Sequence, residues 1–305
     1  MQAYGTPGSG VPEGNEATRH DLIAPLGQDS AFSMSTTSPP ASPLAEPTGW
    51  NLVASGYAAV NIPQFEKYAT DALNAAALKA SHRILDVATG PGTLAFLASP
   101  QVARVDAIDF SEDMLRELRR RLEAQPLPNV FAQHGDGQSL PYEAGSFDAV
   151  FSMFGLIFFP DRAKGFAELR RVLKPGGLAL VSSWQPMTRV PLLVSVFKAL
   201  AAELPGVPFG DGKGPLSDAQ DFSREMGAAG FEVEMREVVH AIEAASFAAF
   251  WADFARSFAP LVLLEHKLGA ERFAPLVAGI RARLEAEVGS GALRVEMPAW
   301  LGLGR

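Results

Sequence analysis

The residues best suited to chemistry form one short turn, Asp86-Val87-Ala88-Thr89-Gly90-Pro91-Gly92-Thr93. Gly90 and Gly92 permit backbone conformations and a close approach of a ligand that side chains would prevent. The glycines alone do not choose the ligand, because Gly90, Gly92 and Ala95 also fit the dinucleotide fingerprint G-x-G-x-x-G/A. Asp86 favours a ligand with a positively charged group, since a carboxylate repels a pyrophosphate.

A second acidic residue, Asp109, follows Gly90 by 19 residues in the segment Ile108-Asp109-Phe110-Ser111. A carboxylate at this spacing suits hydrogen bonds from ribose hydroxyls. Ribose occurs in every nucleoside cofactor, so Asp109 indicates a nucleoside without choosing among them. The alternative interpretation is an acidic helix start, shared with Glu112 and Asp113.

These residues require a scaffold that brings the ends of separate strands together. Short apolar runs alternate with helical patterns through the middle of the chain, which implies parallel βαβ units with right-handed crossovers. Ligands bind such sheets at the carboxyl ends of the strands, where the strand order reverses. The predicted strands are 83–87, 102–108, 129–133, 147–152 and 178–184, and the predicted helices between them are 93–98, 112–123 and 162–173.

The two flanks of this region differ from it. Residues 1–48 are rich in Gly, Pro, Ser and Thr, and such a composition predicts a disordered tail. Apolar residues at helical spacing predict helices over 50–78. Beyond Trp184 we expect helices over 190–204 and 217–229 (with Ser217 as N-cap), a strand over 231–242, helices within 247–288 and a last strand over 292–301. The helical stretch before the last strand is expected to cap the substrate side.

Composition excludes several classes of function. The chain has 305 residues, 48% of them hydrophobic, a formal net charge of −8 and no cysteine. Disulfides, thiolate metal sites and a cysteine nucleophile are therefore excluded, and a reducing cytoplasm is the expected location. The negative charge opposes nucleic-acid binding, and no apolar stretch has the length of a membrane span. We expect no metal site, and the sequence does not predict an oligomeric state.

Three further segments follow in a definite order: His134 to Pro141, Gly145 to Val150, and Arg171-Val172-Leu173-Lys174-Pro175-Gly176-Gly177. Together with the turn and Asp109, they resemble the class I S-adenosylmethionine (SAM)-dependent methyltransferases, in particular the branch of the ubiquinone/menaquinone C-methyltransferases. The resemblance covers residues 50–184 well and the last third loosely. It implies an α/β fold with a doubly wound, mostly parallel, seven-stranded sheet, whose last two strands form an antiparallel pair.

The resemblance also implies SAM as cofactor and S-adenosylhomocysteine as product. Asp86, Gly90 and Gly92 would border the methionine part, and Asp109 would hold the ribose. The other residues implied at the cofactor site are Ala88 in the turn, Phe110 and Met114 beside the adenine, Asp136 and Gly137 at its amino edge, and Ser152 and Met153 below the sulfonium. The implied divisions of the domain are 49–80 (N-terminal helices), 81–185 (SAM-binding core) and 186–305 (substrate-side helices and terminal strand pair).

The chain departs from the quinone-enzyme pattern in two places. Ile157 and Phe158 stand where an Arg-Asn pair is expected, and Ser182-Ser183-Trp184 replaces an acidic-aromatic ending of the fifth strand. These differences argue against quinone-precursor specificity.

Aromatic residues indicate the class of acceptor. Phe154, Phe158, Trp184 and Trp251 are candidates for an apolar substrate pocket, and their alternative role is core packing. No residue is singled out as catalytic. The predicted function is methyl transfer from SAM to a small hydrophobic or aromatic metabolite, with a non-methylating SAM-binding enzyme or scaffold and an NAD-dependent oxidoreductase as alternatives.

Overall fold

The computed structural model describes residues 42–204 and 212–305. The predicted disordered tail therefore lies, except for residues 42–48, outside the described residues. Within 42–48, Pro43–Ala45 forms a short 3-10 turn, and the first α-helix, α1 (Pro47–Ala76), begins. This helix covers most of the predicted helical stretch 50–78.

The sheet has seven strands: β1 (Arg83–Val87), β2 (Arg104–Asp109), β3 (Val130–His134), β4 (Phe147–Met153), β5 (Leu173–Trp184), β6 (Val233–Ala244) and β7 (Leu293–Gly304). Their order is β3-β2-β1-β4-β5-β7-β6. The first five strands pair in parallel, and β7 runs antiparallel to both β5 and β6. The predicted doubly wound sheet with an antiparallel last pair is confirmed, and the order reverses between β1 and β4.

The remaining helices are α2 (Thr93–Ala98), α3 (Glu112–Ala124), α4 (Arg162–Val172), α5 (Pro191–Glu203), α6 (Ala219–Ala228), α7 (Phe247–Ser257), α8 (Ala259–Leu268) and α9 (Ala270–Val288). The prediction that Ser217 caps α6 is wrong. The cap is Asp218, whose carboxylate accepts from the backbone N–H groups of Gln220 and Asp221. A carboxylate is as good an N-cap as a hydroxyl and also suits the positive end of the helix dipole.

Strand β5 also begins earlier than predicted, at Leu173 instead of Leu178. Leu173 pairs with Phe147 and Leu178 pairs with Ala149, so the register shifts at this point. The Lys174–Gly177 segment is accommodated by that irregularity, in which Gly176 adopts a positive φ of 77°. In the sequence, a glycine turn inside a strand resembles a loop that follows the end of a helix.

Both faces of the sheet are covered. Helices α1, α2 and α3 pack on one face through residues such as Leu73, Leu94 and Leu118. Helices α4 and α6 pack on the other through Phe166 and Phe222. The central strands are therefore buried on both sides, which explains their nearly continuous apolar sequences.

The helices of the predicted substrate side have a core of their own. Residues Val196, Phe247, Leu261, Ile280 and Leu284 bring α5, α7, α8 and α9 together. The last three of these helices connect β6 to β7, as the sequence predicts for a helical cap. No single helix in the described residues is long and apolar enough to cross a membrane, although α7 and α8, bent by 67° to each other, pass that test as a pair.

Candidate functional site

The site is built around the turn that leaves β1. Asp86 is 2% exposed and accepts a 2.6 Å hydrogen bond from the hydroxyl of Thr89. Ala88, Gly90 and Gly92 all have positive φ, at 57°, 56° and 80°. The alanine is strained in this conformation, and such strain is concentrated at ligand sites. The turn therefore directs several backbone groups toward the carboxyl edge of the sheet.

Asp109 lies at the end of the neighbouring strand and is 5% exposed. One of its oxygens accepts from the backbone N–H of Gly90 and the other from that of Ser111, both at 2.8 Å. Each carboxylate oxygen can accept more than one hydrogen bond, so capacity for ribose hydroxyls remains.

Burial sets the protonation of both acids. Desolvation, together with the charge of the nearby Asp109, raises the pKa of Asp86 to about 7, and the hydrogen bond from Thr89 opposes the rise. Desolvation also raises the pKa of Asp109 to about 6, and its backbone hydrogen bonds from Ser111 and Gly90 oppose the rise. A cationic group beside Asp86 would compensate for its desolvation and favour its charged form.

Two glycines of the site have no space for a side chain. A Cβ on Gly155 would lie 2.3 Å from the Cβ of Ala88, and one on Gly137 would lie 2.4 Å from the Cζ of Phe159. Gly155 follows β4 and Gly137 follows β3, so both bring their backbones close to the end of β1. The segments that follow β3 and β4 are therefore packed tightly at the end of β1.

The predicted adenine neighbours are placed unequally. Gly137 is buried, whereas Asp136 is exposed and accepts from the backbone N–H of Gln138 at 2.8 Å. Phe110 is half-buried, and its carbonyl oxygen contacts His134 Nε2 at 3.0 Å. Met114 packs with Val53 and Ala54 of α1 and with Ala259 of α8. Met114 therefore has a packing role in addition to the predicted one.

Ser152, at the end of β4, is fully buried, and its hydroxyl has no hydrogen-bond partner among the described residues. Buried polar groups are usually satisfied, so an unpaired one requires an explanation, and a ligand at the end of β4 would provide it. Met153 beside it is half-buried. SAM fits these residues, because Asp86 suits its ammonium, Asp109 suits its ribose and the Ser152 hydroxyl lacks a partner at the end of the adjacent strand.

Aromatic rings gather at the carboxyl ends of β4 and β5. Phe154 is stacked on Trp184, with centroids 4.1 Å apart and planes at 25°. Phe65 and Tyr68 of α1 contact both of these rings, at centroid distances of 5.1 to 5.9 Å. Phe154 has a positive φ of 58°, a second strained residue at this edge.

The other two predicted substrate residues lie elsewhere. Phe158 packs edge-on against Trp50, with centroids 4.8 Å apart. Trp251 is buried in the core of the cap, where it contacts Phe247 and Phe254. The structure thus brings Phe154 and Trp184 together but places Trp251 in a separate cluster.

Sequence reasoning missed the contribution of α1. Asn51 Oδ1 accepts from the Ser111 hydroxyl at 2.6 Å, beside the Asp109 corner. Tyr57 is buried near the same acid, and this burial, together with the charge of Asp109, raises the pKa of the Tyr57 hydroxyl. These residues belong to no chemical motif, and only the long-range approach of α1 gives them a place at the site. No group of three acidic or histidine residues suited to a metal occurs in the described part of the chain.

Comparison with known proteins agrees with this geometry. Residues 84–177 match the model of a family described as a methyltransferase domain. Over 117 residues the chain is 42% identical to a demethylmenaquinone methyltransferase of Thermus thermophilus, covering 38% of this chain and 53% of that relative. Over 102 residues it is 45% identical to a demethylmenaquinone methyltransferase of Clavibacter sepedonicus, covering 33% and 41%. The chain therefore matches only about half the length of these curated relatives.

Solved structures show the same fold. A putative methyltransferase from Bacillus halodurans is 22% identical with a TM-score of 0.53, over 78% of this chain and 97% of that one. The [4+2]-cyclase SpnF is also 22% identical, with a TM-score of 0.52 over 79% and 80%. The motif order, the sheet topology and the sequence matches together identify the central part of the chain, residues 84–177, as a class I methyltransferase domain of the SAM-dependent, quinone methyltransferase-like branch.

Proposed function

We propose that this protein transfers the methyl group of SAM to a small, planar, hydrophobic or aromatic acceptor. One observation carries the proposal: the buried acids and the aromatic cluster share the carboxyl edge of one sheet. Asp86 is the penultimate residue of β1, Ser152 and Phe154 lie on either side of the last residue of the adjacent β4, and Trp184 ends β5 next to β4. A cofactor held at the first strands and a flat acceptor against the aromatic rings would therefore be neighbours.

The residues of the chain have separate roles in this proposal. Asp86 balances a cationic group, and Asp109 accepts from ribose hydroxyls while Gly90 and Ser111 fix its orientation. SAM, when bound, supplies an electrophilic methyl group on a sulfonium. The aromatic cluster positions the acceptor and excludes water, and positioning of this kind can lower a barrier by ~7–11 kcal/mol.

The acceptor surface argues for an apolar ring. The half-buried Trp184 stacks on the buried Phe154, and Phe65 and Tyr68 of α1 pack against both rings, so an acceptor next to this cluster meets an apolar, aromatic wall. The relatives named as demethylmenaquinone methyltransferases support a ring of quinol size, but they match only 38% and 33% of this chain. Phe158, where the quinone pattern has a polar residue, is used in packing against Trp50. We therefore propose an aromatic acceptor, and not specifically a quinone precursor.

A matched panel of acceptors tests this proposal. The protein is incubated with SAM and 2-naphthol, 2-naphthylamine or 1,4-naphthohydroquinone, and with decahydro-2-naphthol as a non-planar control of similar size. The expected result is a methylated product, seen by mass spectrometry, from at least one aromatic probe and none from the control. Preference for the saturated control would contradict the aromatic assignment, and absence of product from every probe would contradict the proposed transfer to a simple planar ring.

A further inference from the structure

Two residues of α3, one helical turn apart, contact the glycine turn that follows β1. Leu118 packs against Gly92 so closely that a Cβ on the glycine would lie 2.3 Å from Leu118 Cδ1. Arg121 lies three residues further along the same face of the helix, and its Nη1 donates to the carbonyl of Pro91 at 2.6 Å. A charged donor makes this hydrogen bond stronger than one between neutral groups. Helix α3 therefore holds the turn by an apolar contact and by a charged hydrogen bond.

The bond from Arg121 belongs to a series of contacts that reaches the buried Asp86. The Pro91–Gly92 peptide is held at both ends, because the backbone N–H of Gly92 donates to the carbonyl of Thr89 at 3.0 Å. The hydroxyl of Thr89 donates in turn to Asp86 at 2.6 Å. Gly92 has a φ of 80° and, as a glycine, restricts this peptide little by itself. The two hydrogen bonds therefore fix the orientation of the peptide.

Arg121 differs from the other arginines of α3. Those are exposed, and each pairs with an acidic residue of the same helix: Arg116, Arg119 and Arg120. Arg121 is half-buried and forms no ion pair with any of the residues that the structure describes. Its guanidinium lies over the ring of Phe96 in α2, 4.0 Å from the centroid. Burial lowers the pKa of this guanidinium, and the charge of Glu66 on α1 opposes the shift. The side chain is thus directed inward at the turn, away from solvent.

We propose that Arg121 is a positioning residue for SAM binding, whose guanidinium fixes the Pro91–Gly92 peptide in the conformation that receives the cofactor without touching the cofactor itself. This role goes beyond the proposed function, because it holds whichever acceptor is methylated. A turn that is fixed before SAM arrives leaves less conformational freedom for binding to remove. Loss of the guanidinium should therefore loosen the ligand-free turn and weaken SAM binding.

The competing role for Arg121 is to pack α3 against α2 through Phe96. Arg121→Met separates the two roles, since it removes the hydrogen-bond donor and keeps an apolar stem over the ring. Phe96→Leu is the counterpart, because it removes the ring and leaves the guanidinium and the Pro91 carbonyl in place. Arg120→Met is the matched control on the same helix, because the Arg120 side chain is 64% exposed and pairs with Glu117 at 2.9 Å.

The first experiment titrates SAM calorimetrically into the full chain and these variants, with the free energy of unfolding measured beside each. Arg121→Met should raise the Kd for SAM about tenfold, as expected for a residue that acts on a ligand through its neighbours. Phe96→Leu and Arg120→Met should leave the Kd within about twofold, although Phe96→Leu should lower stability. Arg121→Lys, which keeps a charged donor on a long stem, should bind SAM more tightly than Arg121→Met.

Three outcomes of this titration would overturn the proposal. The first is an unchanged Kd in Arg121→Met. The second is a Kd that rises as much in Phe96→Leu as in Arg121→Met, which would make packing of α3 on α2 the cause. The third is an Arg121→Lys variant that binds SAM no better than Arg121→Met.

A second readout needs neither SAM nor turnover. Amide hydrogen exchange of Gly92 reports directly on the Pro91–Gly92 peptide, and that of Leu115, which donates to the Ser111 carbonyl, reports on α3. In ligand-free Arg121→Met, the Gly92 amide should exchange at least about tenfold faster and the Leu115 amide at its former rate, since a local opening leaves the rest of the fold protected. Equal acceleration at both amides would mean that Arg121 only stabilises the helix.

The outcomes also distinguish this proposal from the proposed function. If the unaltered protein binds SAM but methylates no aromatic probe, the proposed acceptor fails and the role of Arg121 is still decided by the titration. If Arg121→Met binds SAM as tightly as the unaltered protein, the positioning role alone is lost.

Discussion

The backbone N–H of Gly90 donates a 2.8 Å hydrogen bond to the carboxylate of Asp109, which joins the turn after β1 to the end of β2. The acid that is predicted to hold the ribose therefore also fixes the glycine turn beside it. Its other oxygen accepts from the backbone of Ser111, where α3 begins. A change at Asp109 should act on the cofactor directly and through this turn.

We predict that Asp109→Ala weakens SAM binding by ~1.5–3 kcal/mol, or about 10- to 150-fold, because hydrogen bonds to a charged acceptor are lost. Asp109→Asn, which keeps one acceptor oxygen, should lose less. Calorimetric titration of the folded variants measures both effects. Asp253→Ala is the control, since Asp253 is exposed and its ion pair among residues 42–204 and 212–305 is with Arg256 on α7. Unchanged affinity in Asp109→Ala would contradict the ribose assignment.

The two glycines of the turn should respond differently to alanine. At Gly92 a Cβ would lie 2.3 Å from Leu118 Cδ1, so Gly92→Ala should destabilise the fold by ~1–3 kcal/mol through overpacking, in addition to the cost of its positive φ. At Gly90 a Cβ meets nothing within 4 Å, and only the conformational cost of ~1–2 kcal/mol applies.

Gly145 provides the control for these variants, because it has a φ of 67°, open space around it and a position at the opposite end of β4. Chemical denaturation should show similar losses for Gly90→Ala and Gly145→Ala, and calorimetry should show weaker SAM binding only in the former. Equal SAM affinity in these two variants would mean that Gly90 does not approach the cofactor.

Much of the scaffold was predictable from sequence. The positions of Asp86 and Asp109 at the carboxyl ends of β1 and β2 follow from the short apolar runs that contain or precede them, and the parallel order follows from the intervening helices. The packing partners were not predictable. Trp251 and Trp184 are both tryptophans in segments that are predicted to flank the substrate. In the structure, Trp251 belongs to the core of the cap, whereas Trp184 lies at the edge of the sheet. Only the three-dimensional course of α1 and the cap separates them.

The pH dependence should follow from the burial of Asp86. Its pKa is raised to about 7 from an ordinary 3.8, so at low pH the group is neutral in both the folded and the unfolded protein. As pH rises from 4 to 7, the unfolded chain ionises first. The contribution of Asp86 to the free energy of unfolding of the ligand-free protein should therefore fall by on the order of 4 kcal/mol.

SAM affinity should change in the opposite direction and increase up to about pH 7, because the ammonium requires the charged carboxylate. Below that pH, binding should release a proton, which calorimetry in buffers of different ionisation enthalpy detects. Asp86→Asn should lose the proton release and the part of the pH-dependent fall that comes from Asp86, while the part that comes from Asp109 remains. Affinity that does not change between pH 5.5 and 7.5 would contradict a carboxylate–ammonium contact at Asp86.

Acceptor binding should depend on Trp184 and not on Trp251. Trp184→Ala removes one face of the stack with Phe154 and should raise KM for an aromatic acceptor about tenfold, since such a ring contact contributes ~0.5–1.5 kcal/mol in addition to its buried area. Trp251→Phe should lower stability and leave KM unchanged, because Trp251 lies within the cap core. Steady-state kinetics and thermal unfolding separate the two effects, and a raised KM in Trp251→Phe alone would reverse the assignment.

The most direct test of the central claim is to follow the methyl group itself. The protein is incubated with methyl-labelled SAM and an organic-extractable metabolite fraction, with Asp109→Ala as the matched control. We predict that the label moves into an extractable small molecule, that S-adenosylhomocysteine forms in equal amount, and that the control is slower at limiting SAM. SAM that binds but keeps its label in the presence of this fraction would contradict methyl transfer to a small hydrophobic acceptor.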